Sequence, residues 1–158
     1  MNNTLKVIFY NVNGILNPIK RSKILSKLRK GEAQIAFLQE THLVDTEHGK
    51  LKRGRFKQIF YSSYRSGHRR GAAILISNQI QFEHISEIKD KEGRYVMVIG
   101  RIDGVIVTLL CIYAPPGSEW SFYKKIFNMI LTESRGVLIC GGDMNIRLSK
   151  LEHLLTPK

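Results

Sequence analysis

Four short apolar runs in this chain end on the same kind of residue: an amide, a carboxylate or a phenol. Leu5–Tyr10 leads into Asn11 and Asn13, and Ala33–Leu38 into Gln39 and Glu40. Val105–Ile112 leads into Tyr113, and Gly136–Cys140 into Asp143 and Asn145. All four read as strands, and Ala33–Leu38 and Gly136–Cys140 as strands of the buried kind. In layered α/β folds, ligands bind where strands stop and loops begin. Polar residues at several strand ends therefore predict one site, assembled from segments far apart in sequence.

The intervening segments complete an α/β pattern. Pro18 opens a helix that carries Ile24, Leu25 and Leu28 on one face, with Gly31 as its stop. Strands are expected around Phe56–Tyr61 and Gly71–Ser77, separated by a basic loop. Arg94–Arg101 and Val105–Tyr113 read as a hairpin turning at Asp103-Gly104. Glu119–Leu131 places Phe122, Ile126, Phe127 and Ile130 at helical spacing. There is no repeat or linker, and 158 residues suit one domain. The last run reads as a buried strand that begins a second sheet. Cys111 and Cys140 lie inside apolar runs and read as buried free thiols. No run approaches the roughly 18 apolar residues of a membrane span, and the N-terminus has no signal-peptide pattern. The expected setting is intracellular, nuclear or cytoplasmic, with no membrane partner and no secretion.

Charge narrows the partner. The chain has 25 Lys and Arg against 13 Asp and Glu, for a net charge of +12. Six cations and no acid fall between Lys20 and Lys30, and eight more with no acid between Lys50 and Arg70. Concentrated positive charge favours a phosphate backbone through counterion release. Lys20, Arg21, Lys50, Lys52, Arg53, Arg55, Arg69 and Arg70 are accordingly the expected nucleic-acid contacts. A merely solvated basic face is the alternative. The aromatics among them, Phe56, Phe60, Tyr61 and Tyr64, read mainly as strand residues packed on the core.

Four motifs then occur in order: Asn11-Val12-Asn13-Gly14, Gln39-Glu40-Thr41-His42, Tyr113-Ala114-Pro115 and Gly142-Asp143-Met144-Asn145. The series resembles the endonuclease/exonuclease/phosphatase superfamily. Within it, the flanking text resembles the endonuclease domain of LINE-type retrotransposon open reading frame 2 proteins, as in Asn13–Arg21, Gly71–Ser77 and Asp90–Val98. Asn13 stands where apurinic endonucleases usually carry Asp, which points away from base-excision repair. The resemblance implies a deoxyribonuclease I-like, four-layer sandwich of two mixed β-sheets flanked by helices, here C-terminally truncated.

It also implies roles. The reaction is metal-dependent phosphodiester hydrolysis, with DNA nicked by Mg²⁺, or Mn²⁺ in its place. Glu40 is the expected metal carboxylate and Asn13 a second metal-side amide, with Asn11 orienting Glu40 or reaching the metal shell. Asp143 orients or deprotonates the attacking water, Asn145 donates to phosphate oxygens, and Tyr113 donates its phenol. His42 follows the metal carboxylate and is expected to be structural. Family members continue for about 80 further residues, through a second Asp motif and a terminal Ser-Asp-His, and Glu152-His153 is not that motif. The expectation is thus a nuclease fragment, inactive or severely impaired and marginally stable, that can self-associate through an uncompleted sheet. Non-catalytic DNA binding and a phosphoesterase of the same superfamily remain as alternatives.

Overall fold

Parallel pairing of strands joined through a helix occurs twice in this molecule, and it positions the site. The computed structural model describes residues 4–145. Strand β1 (Val7–Asn11) crosses through helix α1 (Pro18–Lys30) to β2 (Ile35–Gln39), which lies parallel to β1 with Asn11 opposite Gln39. Later, β7 (Val105–Tyr113) crosses through α3 (Trp120–Glu133) to β8 (Val137–Asp143), again parallel, with Tyr113 opposite Asp143. A short helix α2 (Asp45–His48) and a 3-10 turn (Gly49–Leu51) lead from β2 to β3 (Phe56–Ser62) and β4 (Ala72–Ser77). Strands β5 (Phe82–Lys89) and β6 (Tyr95–Ile102) precede β7. The two four-stranded sheets run β1-β2-β4-β3 and β5-β6-β7-β8, each mixing parallel and antiparallel pairs.

Alternation along the strands makes the layers. On β2, Ile35 and Phe37 face the opposite sheet, while Ala36 and Leu38 pack under Ile24 and Leu28 of α1. On β6 and β7, Val96, Val98, Val107, Leu109 and Cys111 fill the space between sheets. Their neighbours Tyr95, Met97, Leu110 and Ile112 pack on Phe122, Tyr123, Ile126 and Met129 of α3. The order is therefore α1, first sheet, second sheet, α3: the expected four-layer sandwich. Each fully buried aliphatic or aromatic side chain in these layers contributes about 1.5–3 kcal/mol.

The expected strands and helices form, with three differences. The second sheet begins at β5, not at the last strand; β8 is its fourth strand. Strand β5 is not apparent in the sequence pattern, because a bulge between His84 and Ser86 places its apolar residues at Phe82, Ile85 and Ile88 and breaks the two-residue period. Strand β8 is also less buried than its apolar sequence implies. Among the described residues it pairs with β7 alone, so Val137, Leu138 and Cys140 are exposed. Cys111 is a buried thiol as expected, pushed up to about 12 by burial, whereas Cys140 is a free but exposed one. Among the described residues no helix is long and apolar enough to cross a membrane.

Candidate active site

The two parallel crossovers bring four strand ends together. Asn11 ends β1, and Glu40 follows β2 beside it. Tyr113 and Asp143 end β7 and β8 in the facing sheet. The Asn11 side-chain amide spans the two sheets: its Nδ2 donates to Glu40 Oε1 at 3.0 Å and to Asp143 Oδ2 at 3.1 Å. Its Oδ1 accepts from the backbone N–H of Asn13 at 3.0 Å, which fixes which way the amide points. Two carboxylates from separate sheets are thereby held against one donor.

Local backbone conformation aims these groups. Asn13, Glu40, His42 and Asn145 all adopt positive φ, between 44° and 58°. Such turns are costly for residues other than glycine, and they cluster where surrounding structure over-determines them. Here the turns are pinned by backbone bonds between loops: Gly14 N–H donates to Glu40 O at 2.6 Å, and His42 N–H to Arg70 O at 2.8 Å. Gly14 itself, at φ 79°, passes so close to the His42 ring that a Cβ would lie 2.5 Å from Nδ1. At Gly142, φ 143°, a Cβ would run into the carbonyl of Ile112, so the approach of β8 to β7 requires glycine there.

Tyr113 is 7% exposed, and its phenol lies beside Glu40. Burial, then the Glu40 charge and a hydrogen bond to Glu40, push the phenol up to about 12, so it is a donor at any working pH. Asn145 N–H donates to Asp143 Oδ1 at 3.3 Å, and its Nδ2 donates to Ala114 O at 2.8 Å. One N–H of that side-chain amide is thus engaged, and the other has no partner among the described residues. His42, expected to be structural, places its Nε2 3.5 Å from Glu40 Oε2, against the carboxylate itself. Among the described residues the Asn13 side chain has no hydrogen-bond partner, and it stands exposed beside Asn11.

The donor set consists of hard oxygens from Glu40, Asp143 and amide carbonyls. Among the described residues no three His, Cys, Asp or Glu side chains cluster as a complete metal cage. One or two carboxylates open to water is the arrangement Mg²⁺ takes, since it retains several waters and binds substrate phosphate. The residues present therefore fit that ion.

The basic residues divide into groups. Lys20 Nζ donates to Asn13 O at 2.8 Å, and Arg70 follows the exposed Arg69 on the turn that accepts from His42 N–H, so these cations rim the site. Arg70 is held by Glu92, 3.3 Å from its carbonyl and 3.7 Å from its carboxylate, and lies over the Tyr64 ring. Lys50, Lys52, Arg53 and Arg55 are exposed on the path into β3. Arg21 departs from expectation. It is buried, and its guanidinium donates to Ile15 O and Leu16 O, because its position on α1 shares the inward face of Ile24 and Leu28. Next to Tyr113 an open cleft of about 410 Å³ is lined by Arg70, Arg94, Pro115 and Lys125. Sequence reasoning misses Lys125, since helical spacing alone does not say which end of α3 faces the strand ends. Glu152 and His153 lie outside the described residues.

The model of the Endonuclease/Exonuclease/phosphatase family matches residues 8–157. This chain belongs to that family. It is 31% identical over 152 residues to a 149 kDa protein of transposon TX1 from Xenopus laevis, covering 91% of this chain and 11% of that protein. Among solved structures, humanized D. rerio TDP2 aligns with TM-score 0.71 at 18% identity, over 96% of this chain and 66% of that one. The endonuclease domain of TRAS1, a telomere-specific non-LTR retrotransposon, aligns with TM-score 0.66 at 18% identity, over 92% and 61%. The Xenopus laevis APE2 catalytic domain aligns with TM-score 0.65 at 18% identity, over 90% and 59%. The chain thus spans about a tenth of the transposon protein and about 60–66% of these three solved chains. These three solved structures share the fold described above.

Proposed function

We propose that these strand ends form part of the active site of a Mg²⁺-dependent endonuclease that nicks DNA. The observation that carries the reading is the Asn11 amide bonded to both Glu40 and Asp143, which sets two carboxylates from different sheets around one point. Support for DNA comes from the cations rimming that point and from likeness to a D. rerio TDP2 structure complexed with single-strand DNA product. Likeness to the transposon TX1 protein and to the TRAS1 domain supports a retrotransposon origin for the enzyme.

Each residue takes a role that its surroundings allow. Glu40, with Asn13 beside it, would hold Mg²⁺ or Mn²⁺, which supplies charge to stabilise the phosphorane and the leaving oxygen. Asp143 accepts the proton of the attacking water at the oxygen turned away from Asn11. Asn145 offers its remaining N–H, and Tyr113 its retained phenolic proton, to phosphate oxygens as negative charge gathers. Asn11 holds both carboxylates in place, and Lys20, Arg69 and Arg70 guide the backbone in.

The test is supercoiled-plasmid nicking with Mg²⁺ or Mn²⁺, on this chain and on a form extended with the C-terminal portion of a related endonuclease. Nicking is expected from the extended form, falling by at least about 10²-fold in Glu40→Gln and Asp143→Ala. Nicking that survives Asp143→Ala sinks the assignment. Hydrolysis of a phosphomonoester in preference to DNA selects a phosphoesterase, and salt-dependent binding without cleavage selects a binding module. Among the described residues one edge of β8 is unpaired and Val137 and Leu138 are exposed, which further supports self-association, and sedimentation over a concentration series would detect it.

A further inference from the structure

The two acid-free basic runs, widely separated in sequence, form the two walls of one groove. One wall is the outer face of α1, where Ser22, Ser26 and Arg29 follow one another at helical spacing. The other is the turn into β3, carrying Arg53 and Arg55. Two adjoining cavities of about 380 and 500 Å³ share Ser22, Ser26 and Arg53, so the groove is continuous along the helix. Its near end is Pro18 and Ile19, one residue from Lys20, whose ammonium bonds Asn13 at the rim of the active site.

The charge in this groove is unneutralised. Lys23, Arg29, Arg53 and Arg55 are exposed, no acid lines either cavity, and none of the four makes an ion pair among the described residues. Arg65 and Arg70 are answered by Glu92, Arg94 by Asp90 and Arg101 by Glu83, whereas Arg69, Arg135 and the other lysines, like these four, make no ion pair among the described residues. Like charges held facing each other without a counterion repel, so this arrangement favours an anion between them. The groove floor has no exposed aromatic ring, since Phe56 is 3% exposed. Single-stranded nucleic acid is usually gripped by stacking bases on exposed rings. Hydroxyls and guanidinium groups without rings suit the sugar-phosphate edge of a duplex instead.

We infer that this groove is a second DNA site, which binds the backbone of uncleaved duplex flanking the scissile phosphate. It rests on the nuclease reading of the strand-end site. From Lys20 to Arg29 the helix rises about 14 Å, which adds about four base pairs to the length of duplex engaged.

Fluorescence anisotropy of the full chain in chelator, without cleavage, tests this. The probes are a hairpin of about 6 base pairs, a duplex of about 20 base pairs and a single strand of equal length. The groove pair Arg29→Glu with Arg53→Glu is compared with Arg101→Glu with Arg135→Glu, a control pair that removes the same charge at the opposite end of the second sheet. The long duplex is expected to bind at least ten-fold more weakly to the groove pair than to the control pair. Its log–log salt slope should fall by about 2, one for each phosphate that the groove no longer neutralises, while the hairpin binds both alike. Equal weakening by the two pairs, or single strand bound through the groove as tightly as duplex, overturns the inference and leaves the nuclease reading intact. Failure of every probe to bind the parent chain overturns both. Arg29→Ala with Arg53→Ala, which keeps exposed and uncharged side chains, repeats the comparison should the Glu pair lose its near-UV circular dichroism.

Discussion

Asn11 Nδ2 donates to Asp143 Oδ2 at 3.1 Å, joining the first sheet to the second across 132 positions of sequence. The same nitrogen donates to Glu40 Oε1 at 3.0 Å, so the amide screens two carboxylates from each other. Asn11→Ala should therefore lower Mg²⁺-dependent nicking by the extended form about 10²-fold, the usual scale for one misplaced acid or base. Asn11→Asp should do at least as much harm, because it adds a third negative charge where a donor stood. Nicking by Asn11→Asp within three-fold of the parent would contradict this role for the amide.

Tyr113 presents a protonated phenol next to a carboxylate. Because its folded value is raised to about 12, the phenol remains a donor while free tyrosine ionises near 10. The nicking rate should show no descending limb near pH 10 that belongs to Tyr113. Tyr113→Phe, which keeps the buried ring, should melt within about 1 kcal/mol of the parent yet nick about 10–100-fold more slowly. A pH–rate profile on both proteins checks the pair of statements.

His48 gives stability a specific pH window. Its ring is fully buried, stacks on Tyr61 at 4.6 Å, and bonds Thr41 Oγ1 and Ser63 Oγ at 2.9 Å each. Burial lowers it from 6.5 to about 4, so between those values the unfolded chain takes up a proton that the folded chain refuses. Stability is thus complete above pH 6.5, falls as pH drops toward 4, and levels off below, a loss of roughly 3 kcal/mol. Urea midpoints across that range should show the slope, and His48→Gln should flatten it. Parallel slopes in the two proteins would remove His48 as the cause. Thr41 adjoins Glu40, so the same acidification should loosen the turn that carries Glu40.

Gly14 and His42 are coupled by space. A Cβ on Gly14 would press on the His42 ring, and φ 79° is strained for any L side chain. Gly14→Ala should cost about 1–3 kcal/mol. In a His42→Ala background the ring is gone and only the backbone strain persists, so the same change should cost at least about 0.5 kcal/mol less. A double-mutant cycle in urea measures that difference, and simple additivity would mean the ring moves aside freely.

Much of this protein is determined by local pattern. Apolar runs such as Ile35–Gln39 and Ala72–Ser77 are strands because six or fewer apolar residues bounded by polar turns have little alternative. Helix α1 begins at Asn17 because its side chain accepts from the N–H groups of Ile19 and Lys20, and Pro18 is preset for the first turn. The hairpin turns at Asp103 and Gly104 because both take positive φ. The site residues are legible for the same reason: each marks the end of a run. What the sequence cannot contain is contact between remote segments. Strand β5 is hidden by its bulge, and the exposure of Cys140 by the edge position of β8. Arg21 carries the same charge as Lys20, yet one turns into the core and the other to the candidate site, a difference of 100° around a helix. Only the packing of two sheets could set Asn11 against Asp143, because hydrogen bonds and charges act over a few ångströms of space, whatever the distance along the chain.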